Sequence, residues 1–146
     1  MTKLTIRSPK KSAVTITREA VKSDKLVYFA VANKALPYPN GERSRIVYIG
    51  TTQNGAHRMA ASAAIKALDM LGLHGVKHLE FYSITCKSRQ NVKTWRKLER
   101  GLLLTFRYLY GDVPKSNIQG KRMKWTDELS YFSRTRLESI ISQYST

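Results

Sequence analysis

The chain has 146 residues, with 26 Lys and Arg against 10 Asp and Glu, leaving a formal net charge of +16. That length supports one domain with a single modest core, and a hydrophobic content of 42% is ordinary for a globular protein. So large a positive excess opposes the compact state by self-repulsion, so it points to a polyanionic partner, nucleic acid first, over a merely solubilising surface.

Residues 1–23 carry Lys3, Arg7, Lys10 and Lys11, isolated Leu4, Ile6, Val14 and Ile16, and the single acid Glu19. They read as a basic arm containing at most a short strand. No continuous apolar stretch follows those cations, so neither a secretory signal nor a membrane span is expected. The expectation is a soluble intracellular protein with no membrane partner, cytoplasmic or held at the nucleoid or nucleus when bound to DNA.

Residues 26–32 and 45–50 are β-rich and are separated by Pro37-Tyr38-Pro39-Asn40-Gly41, a turn composition. They predict a hairpin with a long tip. A tip centred on Tyr38 would set Tyr28 opposite Tyr48 on one face. Residues 54–71 are Ala-rich and free of Pro, and predict a helix capped by Asn54 and stopped by Gly72. A third strand follows over 78–86. It ends at Cys86, the only cysteine, which excludes an intrachain disulfide and zinc sites built on paired cysteines and reads as a small core residue.

Residues 91–110 predict a long helix ended by Gly111, with Pro114 beyond. Residues 126–144 predict an amphipathic helix opened by Thr126 or Asp127, with Asp127-Glu128 explained by capping and the helix dipole. The order ββαβαα gives an α/β or α+β domain, a three-stranded mostly antiparallel sheet flanked by helices. Its parts are the arm at 1–23, a core at 24–120, and a basic C-terminal segment and helix at 121–146 packed on that core.

On a helical wheel, Trp95, Leu98, Leu102, Leu103, Phe106, Leu109 and Tyr110 gather on one side, and Glu99 falls inside their arc. Lys93, Arg96, Lys97, Arg100 and Arg107 lie opposite, with Leu104 breaking the pattern. A carboxylate on a core-facing stripe costs several kcal/mol unless a positive group meets it. That group is either a metal ion or a guanidinium. Arg58, eight positions after Gly50, suits a phosphate because its charge is permanent and its donors clamp two oxygens. Taken alone, a solvent-facing arginine and space-filling strand tyrosines are the ordinary readings of Arg58, Tyr28 and Tyr48.

Together these residues resemble a known family. Leu26-Val27-Tyr28, Tyr48-Ile49-Gly50, Arg58, Glu99 within Leu98-Glu99-Arg100-Gly101-Leu102-Leu103, and Asn117 within Pro114-Lys115-Ser116-Asn117 look like the five motifs of the GIY-YIG nucleases, in their order and near their spacings. The resemblance covers roughly residues 25–120. The first motif lacks its usual glycine, and the two tyrosines stand further apart than is usual in the family. The extra length falls in the tip around Pro37 to Arg43. That tip reads either as a DNA-contacting insertion, with Arg43, Arg45 and a Tyr38 able to stack or wedge, or as a passive loop.

The resemblance implies metal-dependent hydrolysis of DNA phosphodiesters. Glu99 would hold Mg²⁺ or Mn²⁺, Arg58 would neutralise charge growing on the phosphoryl oxygens, and Tyr28 and Tyr48 would share activation and positioning of the water. Asn117 would orient the Glu99 region, and His57 offers an alternative proton carrier. A tyrosine with the ordinary pKa near 10 is a poor base at neutral pH, so the site must lower it or use the hydroxyl only for positioning. DNA contacts are expected from Lys10, Lys11, Arg43, Arg45, His57, Arg96, Lys121, Arg122 and Lys124, with Trp125 stacking. A homodimer or a partner protein would serve double-strand cleavage. The competing readings are a noncatalytic nucleic-acid-binding module on the same scaffold and a basic ribosome-associated structural protein. The first is discriminated by whether the five motif residues converge.

Overall fold

The computed structural model describes residues 2–13, 24–73 and 75–146, with only the backbone of residues 56, 57 and 62–64. The elements are β1 (Leu26–Pro37), β2 (Arg43–Thr52), α1 (Ala56–Leu71), β3 (Leu79–Ile84), α2 (Thr94–Tyr110) and α3 (Arg134–Ser145), with one 3₁₀ turn at Glu128–Ser130 before α3. The sheet order is β2-β1-β3 and both pairings are antiparallel. The fold is α+β, a three-stranded antiparallel sheet with flanking helices. Residues 2–13 of the arm carry no regular element and are exposed, and the rest of the arm, 14–23, lies outside the described residues.

β1 is the central strand and is buried at every position from Leu26 to Ala32. A strand that lacks polar alternation must be covered on both faces. On one face Phe29 meets Tyr144 of α3 edge to face at 5.4 Å. On the other, Tyr28 packs against Tyr48, whose ring lies beneath Lys66 of α1. α2 packs on α3 at Gly101, where an added Cβ would lie 3.2 Å from Leu137. Leu98, Leu102, Phe106, Leu137 and Ile141 join the sheet residues in one core. Leu104, the exception on the wheel, is buried, because α2 is covered continuously from Gly101 to Phe106.

The helix starts differ from expectation for identifiable reasons. Gly55, at φ 81, is the N-cap of α1 in place of Asn54, because the chain turns through a left-handed residue after β2. α2 begins at Thr94 because Asn91 is left-handed, at φ 61. Gly111, also left-handed, ends it as expected, its N–H donating to the Arg107 carbonyl. α3 begins only after Ser133, whose hydroxyl accepts from the Arg136 N–H.

The Asp127-Glu128 pair is therefore not a helix cap. Glu128 is fully buried, accepting from Arg100 Nε at 2.7 Å and from the Thr126 N–H at 2.7 Å. Asp127 pairs with Lys97 at 2.7 Å. Arg100 also donates to the Lys124 carbonyl and Arg107 to the Gly120 carbonyl. Much of the basic face of α2 is thus used to hold the segment that leads to α3.

The hairpin tip is likewise structural. Between the pairs Val31↔Ile46 and Leu36↔Ser44, β1 advances five residues while β2 advances two, so β1 bulges. Arg45 Nε donates to the Ala32 carbonyl at 2.7 Å and Arg43 to the Ala35 carbonyl at 3.4 Å, satisfying backbone that the bulge leaves unpaired. Tyr38 is neither a wedge nor a stacking surface. It is buried against Phe106 and Tyr110, its hydroxyl donating to the Ile46 carbonyl and accepting from the Lys115 N–H. Asn40 donates to the Leu109 carbonyl at 2.6 Å, so the tip satisfies an otherwise open carbonyl at the C-terminus of α2.

Burial acts to raise the Glu128 carboxyl, but Arg100 and the backbone and hydroxyl donors at Thr126 outweigh it and hold the group below the usual carboxylate range. A depressed folded-state pKa contributes stability above the unfolded value, about 4.3, and that stability is lost as pH falls through the folded value. Glu128→Gln is expected to cost about 1–3 kcal/mol in urea unfolding at pH 7. The gap from wild type should narrow as acid protonates the wild-type carboxyl.

Candidate active site

Tyr28 and Tyr48 project from the same sheet face with ring centroids 5.8 Å apart. They are not directly opposite. Tyr28 pairs with Gly50 and Tyr48 with Ala30, because the tip closes through Pro37↔Arg43, around Asn40 and not Tyr38, and the strands slip at the bulge. The correction explains the glycine. A Cβ on Gly50 would lie 2.7 Å from Tyr48 Cε1 and 2.8 Å from both Tyr28 Cζ and its hydroxyl oxygen. The two rings can close over β2 only because residue 50 has no side chain.

Lys66, a residue that sequence reasoning passed over, completes this cluster. Its ammonium donates to the Tyr48 hydroxyl oxygen and lies 3.9 Å from the centre of the same ring. A signal was present: between Arg58 and Leu71, Lys66 is the only basic residue in an Ala-rich helix. Burial pushes the Tyr48 phenol above its ordinary pKa; a hydrogen bond with Tyr28 lowers it, and the negative charge of Glu99 raises it.

Glu99 is half-buried, as the apolar arc of α2 predicted, and hydrogen-bonds to Thr51. Burial holds its carboxyl above the usual range, while Thr51 and the charges of Arg96, Lys66 and Arg100 act in the opposite direction. Of the two positive partners the wheel allowed, the guanidinium is not in contact: among the described residues Glu99 has no ion pair, and Arg100 is committed to Glu128. The carboxylate is flanked by cations without being neutralised by direct contact.

Asn117 acts on the second tyrosine motif and not on Glu99. Its side-chain oxygen accepts from the Ile49 N–H and its amide donates to the Ile49 carbonyl, both at 2.9 Å, while the Ser116 N–H donates to Val47. β2 is an edge strand, and a carboxamide supplies the donor and acceptor that its outward peptide groups require. Asn117 therefore fixes the backbone between Tyr48 and Gly50.

Arg58 is exposed in the first turn of α1, beside a shallow hollow lined by Asp24, Gln53, Asn54 and Ala61. Among the described residues no hydrogen bond or ion pair links its guanidinium to the tyrosines or Glu99. Four of the five motif residues thus meet around Gly50, directly or through Thr51 and Ile49, with Arg58 at the adjoining surface. Of the expected DNA contacts, Lys10, Lys11, Arg43, Arg96, Lys121, Arg122 and Lys124 are exposed, and Arg45 is half-buried at the bulge. The side chain of His57 lies outside the described residues.

Among the described residues no three His, Cys, Asp or Glu side chains cluster as a metal cage. The available donors are one carboxylate and the Thr51 hydroxyl. Mg²⁺ keeps several waters and takes one or two carboxylates together with substrate phosphate, so this thin set fits an ion delivered with its substrate.

Comparison with family models, curated proteins and solved structures returns no match to this chain, so its function must be argued from the chemistry of the site.

Gly50→Ala is expected to force the tyrosine rings apart and to cost about 1–3 kcal/mol of stability. Chemical unfolding measures the loss. The near-ultraviolet circular dichroism of the tyrosines should change even where the mutant remains folded.

Proposed function

We propose that this protein is a metal-dependent DNA endonuclease that hydrolyses phosphodiester bonds with a GIY-YIG-type site. The observation that carries the reading is the crossing of two tyrosines over Gly50 within the field of a half-buried Glu99 that has no ion pair among the described residues. Packing alone gives no reason to retain a carboxylate there. The net charge of +16 supports a polyanionic substrate.

Glu99 would hold a divalent cation, Mg²⁺ or Mn²⁺, with Thr51 beside it. When bound, that ion supplies Lewis-acid polarisation of the scissile phosphate and neutralises charge at the leaving oxygen. Water attacks phosphorus and gives its proton to one tyrosine oxygen, while the other tyrosine orients it. Arg58, on the exposed side, meets phosphate oxygens once DNA lies across the hollow and stabilises their growing charge. Asn117 keeps Tyr48 and Gly50 in register throughout. Arg96, Lys121, Arg122, Lys124 and the arm contact the DNA backbone, and double-strand cleavage would recruit a second copy or a partner protein.

The separation of Arg58 from the cluster favours a second reading, a noncatalytic nucleic-acid-binding module on this scaffold. Cleavage of supercoiled plasmid with Mg²⁺ or Mn²⁺ separates the two. Wild type should nick or linearise the plasmid, and Glu99→Ala should be slower by at least about 100-fold, the scale of losing one transition-state-stabilising group, while still binding DNA. Tight binding without cleavage by either protein, on duplex and branched substrates, selects the module.

A further inference from the structure

Building on the endonuclease reading, we propose that Lys66 is a positioning residue that makes the oxygen of Tyr48, and not that of Tyr28, the acceptor of the proton from the attacking water.

α1 is arranged against ordinary folding energetics. Ile65 is 77% exposed and Leu68 83% exposed, while Lys66 between them is half-buried and turned to the sheet. Burying an isoleucine or leucine is favourable, and burying an ammonium is unfavourable unless it is partnered. A helix that exposes its apolar residues and withdraws its lysine breaks the local rule, and such breaks concentrate at functional sites.

The direction of each hydrogen bond then assigns the roles. An ammonium has donors and no acceptor, so the Lys66 contact makes the Tyr48 oxygen the acceptor. Tyr28 is also hydrogen-bonded to Tyr48, and because a phenolate oxygen carries no proton, the Tyr28 hydroxyl is the donor whenever Tyr48 is ionised. Two donors converge on one oxygen, and the ammonium additionally lies over the face of the ring. Tyr48 faces Tyr28 from β1, Lys66 from α1 and the charge of Glu99 from α2, and Lys66 is the positive charge in contact with it.

Burial and the charge of Glu99 keep the resting Tyr48 a phenol, so the step runs through its minor phenolate form, which the Lys66 contact stabilises: that phenolate takes the proton of water and becomes a phenol as the water oxygen bonds to phosphorus. The bond from phosphorus to the leaving nucleotide oxygen breaks, and that oxygen keeps the electron pair and is protonated by solvent. Tyr28 remains a donor, and Lys66 remains an ammonium that is never consumed.

The test reads Tyr48 ionisation directly in the metal-free full chain. Near-ultraviolet absorbance follows phenolate formation against pH for the 8 tyrosines, and subtracting Tyr48→Phe isolates the Tyr48 curve. Subtracting Lys66→Met, Tyr48→Phe from Lys66→Met gives the same curve without the ammonium. It should move to higher pH by at least about one unit, a tenfold loss of phenolate. Lys66→Arg should restore it, and Lys66→Gln repeats the test should the Met variant fold poorly. In plasmid cleavage, the acidic limb of kcat against pH should move by the same amount with KM little changed.

A Tyr48 curve unmoved by both neutral variants, in a wild type that cleaves DNA, overturns the role of Lys66 and leaves the endonuclease standing. Absence of metal-dependent cleavage by wild type removes the endonuclease reading and the proton-acceptor role together.

Discussion

Burial of β1 on both faces is the constraint from which the remaining architecture follows. A strand running Leu-Val-Tyr-Phe-Ala-Val-Ala with no solvent face needs one cover over Tyr28 and another over Phe29. α1 supplies the first and α2 with α3 the second, leaving β2 and β3 as edges. The edge of β2 is closed by Ser116 and Asn117, and there the polar residues of the candidate site collect. The position of the candidate site is thus a consequence of sheet order. An edge strand brings residues from the sheet, α1 and α2 to within electrostatic reach of one another, which an interior strand does not.

The positive charge divides into two populations. Lys97, Arg100 and Arg107 anchor the segment between α2 and α3, and Arg43 and Arg45 satisfy the bulge of the hairpin. These cations are parts of the fold. Lys10, Lys11, Arg58, Arg96, Lys121, Arg122 and Lys124 remain exposed. The net charge of the chain therefore overstates the charge available to a polyanion, and the exposed set is the one relevant to counterion release.

Much of the fold was legible in the sequence because its signals are local. Periodicity and glycine stops located the elements to within a few residues, except the end of β1, which runs on to Pro37, and the start of α3. That boundary is set by the burial of Glu128 against Arg100, a partner 28 positions away that no local pattern reveals. The docking of the tip was hidden for the same reason. Pro37, Pro39 and Gly41 announce a turn, but its docking through Tyr38 and Asn40 depends on α2.

Within the site, Glu99 could be anticipated because a carboxylate on an apolar arc is a contradiction visible on a wheel. Lys66 left only a weak mark, as the lone basic residue between Arg58 and Leu71, and its inward turn stands out only against the exposure of Ile65 and Leu68. The role of Gly50 is likewise invisible without the register that places Tyr28 across from it.

The contacts that lock the site also determine when it can exist. Asn117 and Ile49 are 68 positions apart, and Asn40 and Leu109 are 69 apart. Both links close loops spanning nearly half the chain, and such closures carry a large entropic penalty and form late in folding. A nascent chain that has emerged through α1 carries both tyrosines and Lys66, but neither Glu99 nor the amide that sets their spacing. The constellation is therefore assembled by topology only once the chain through Asn117 is available to close on β2, so its parts stay unjoined while the chain extends no further than α1.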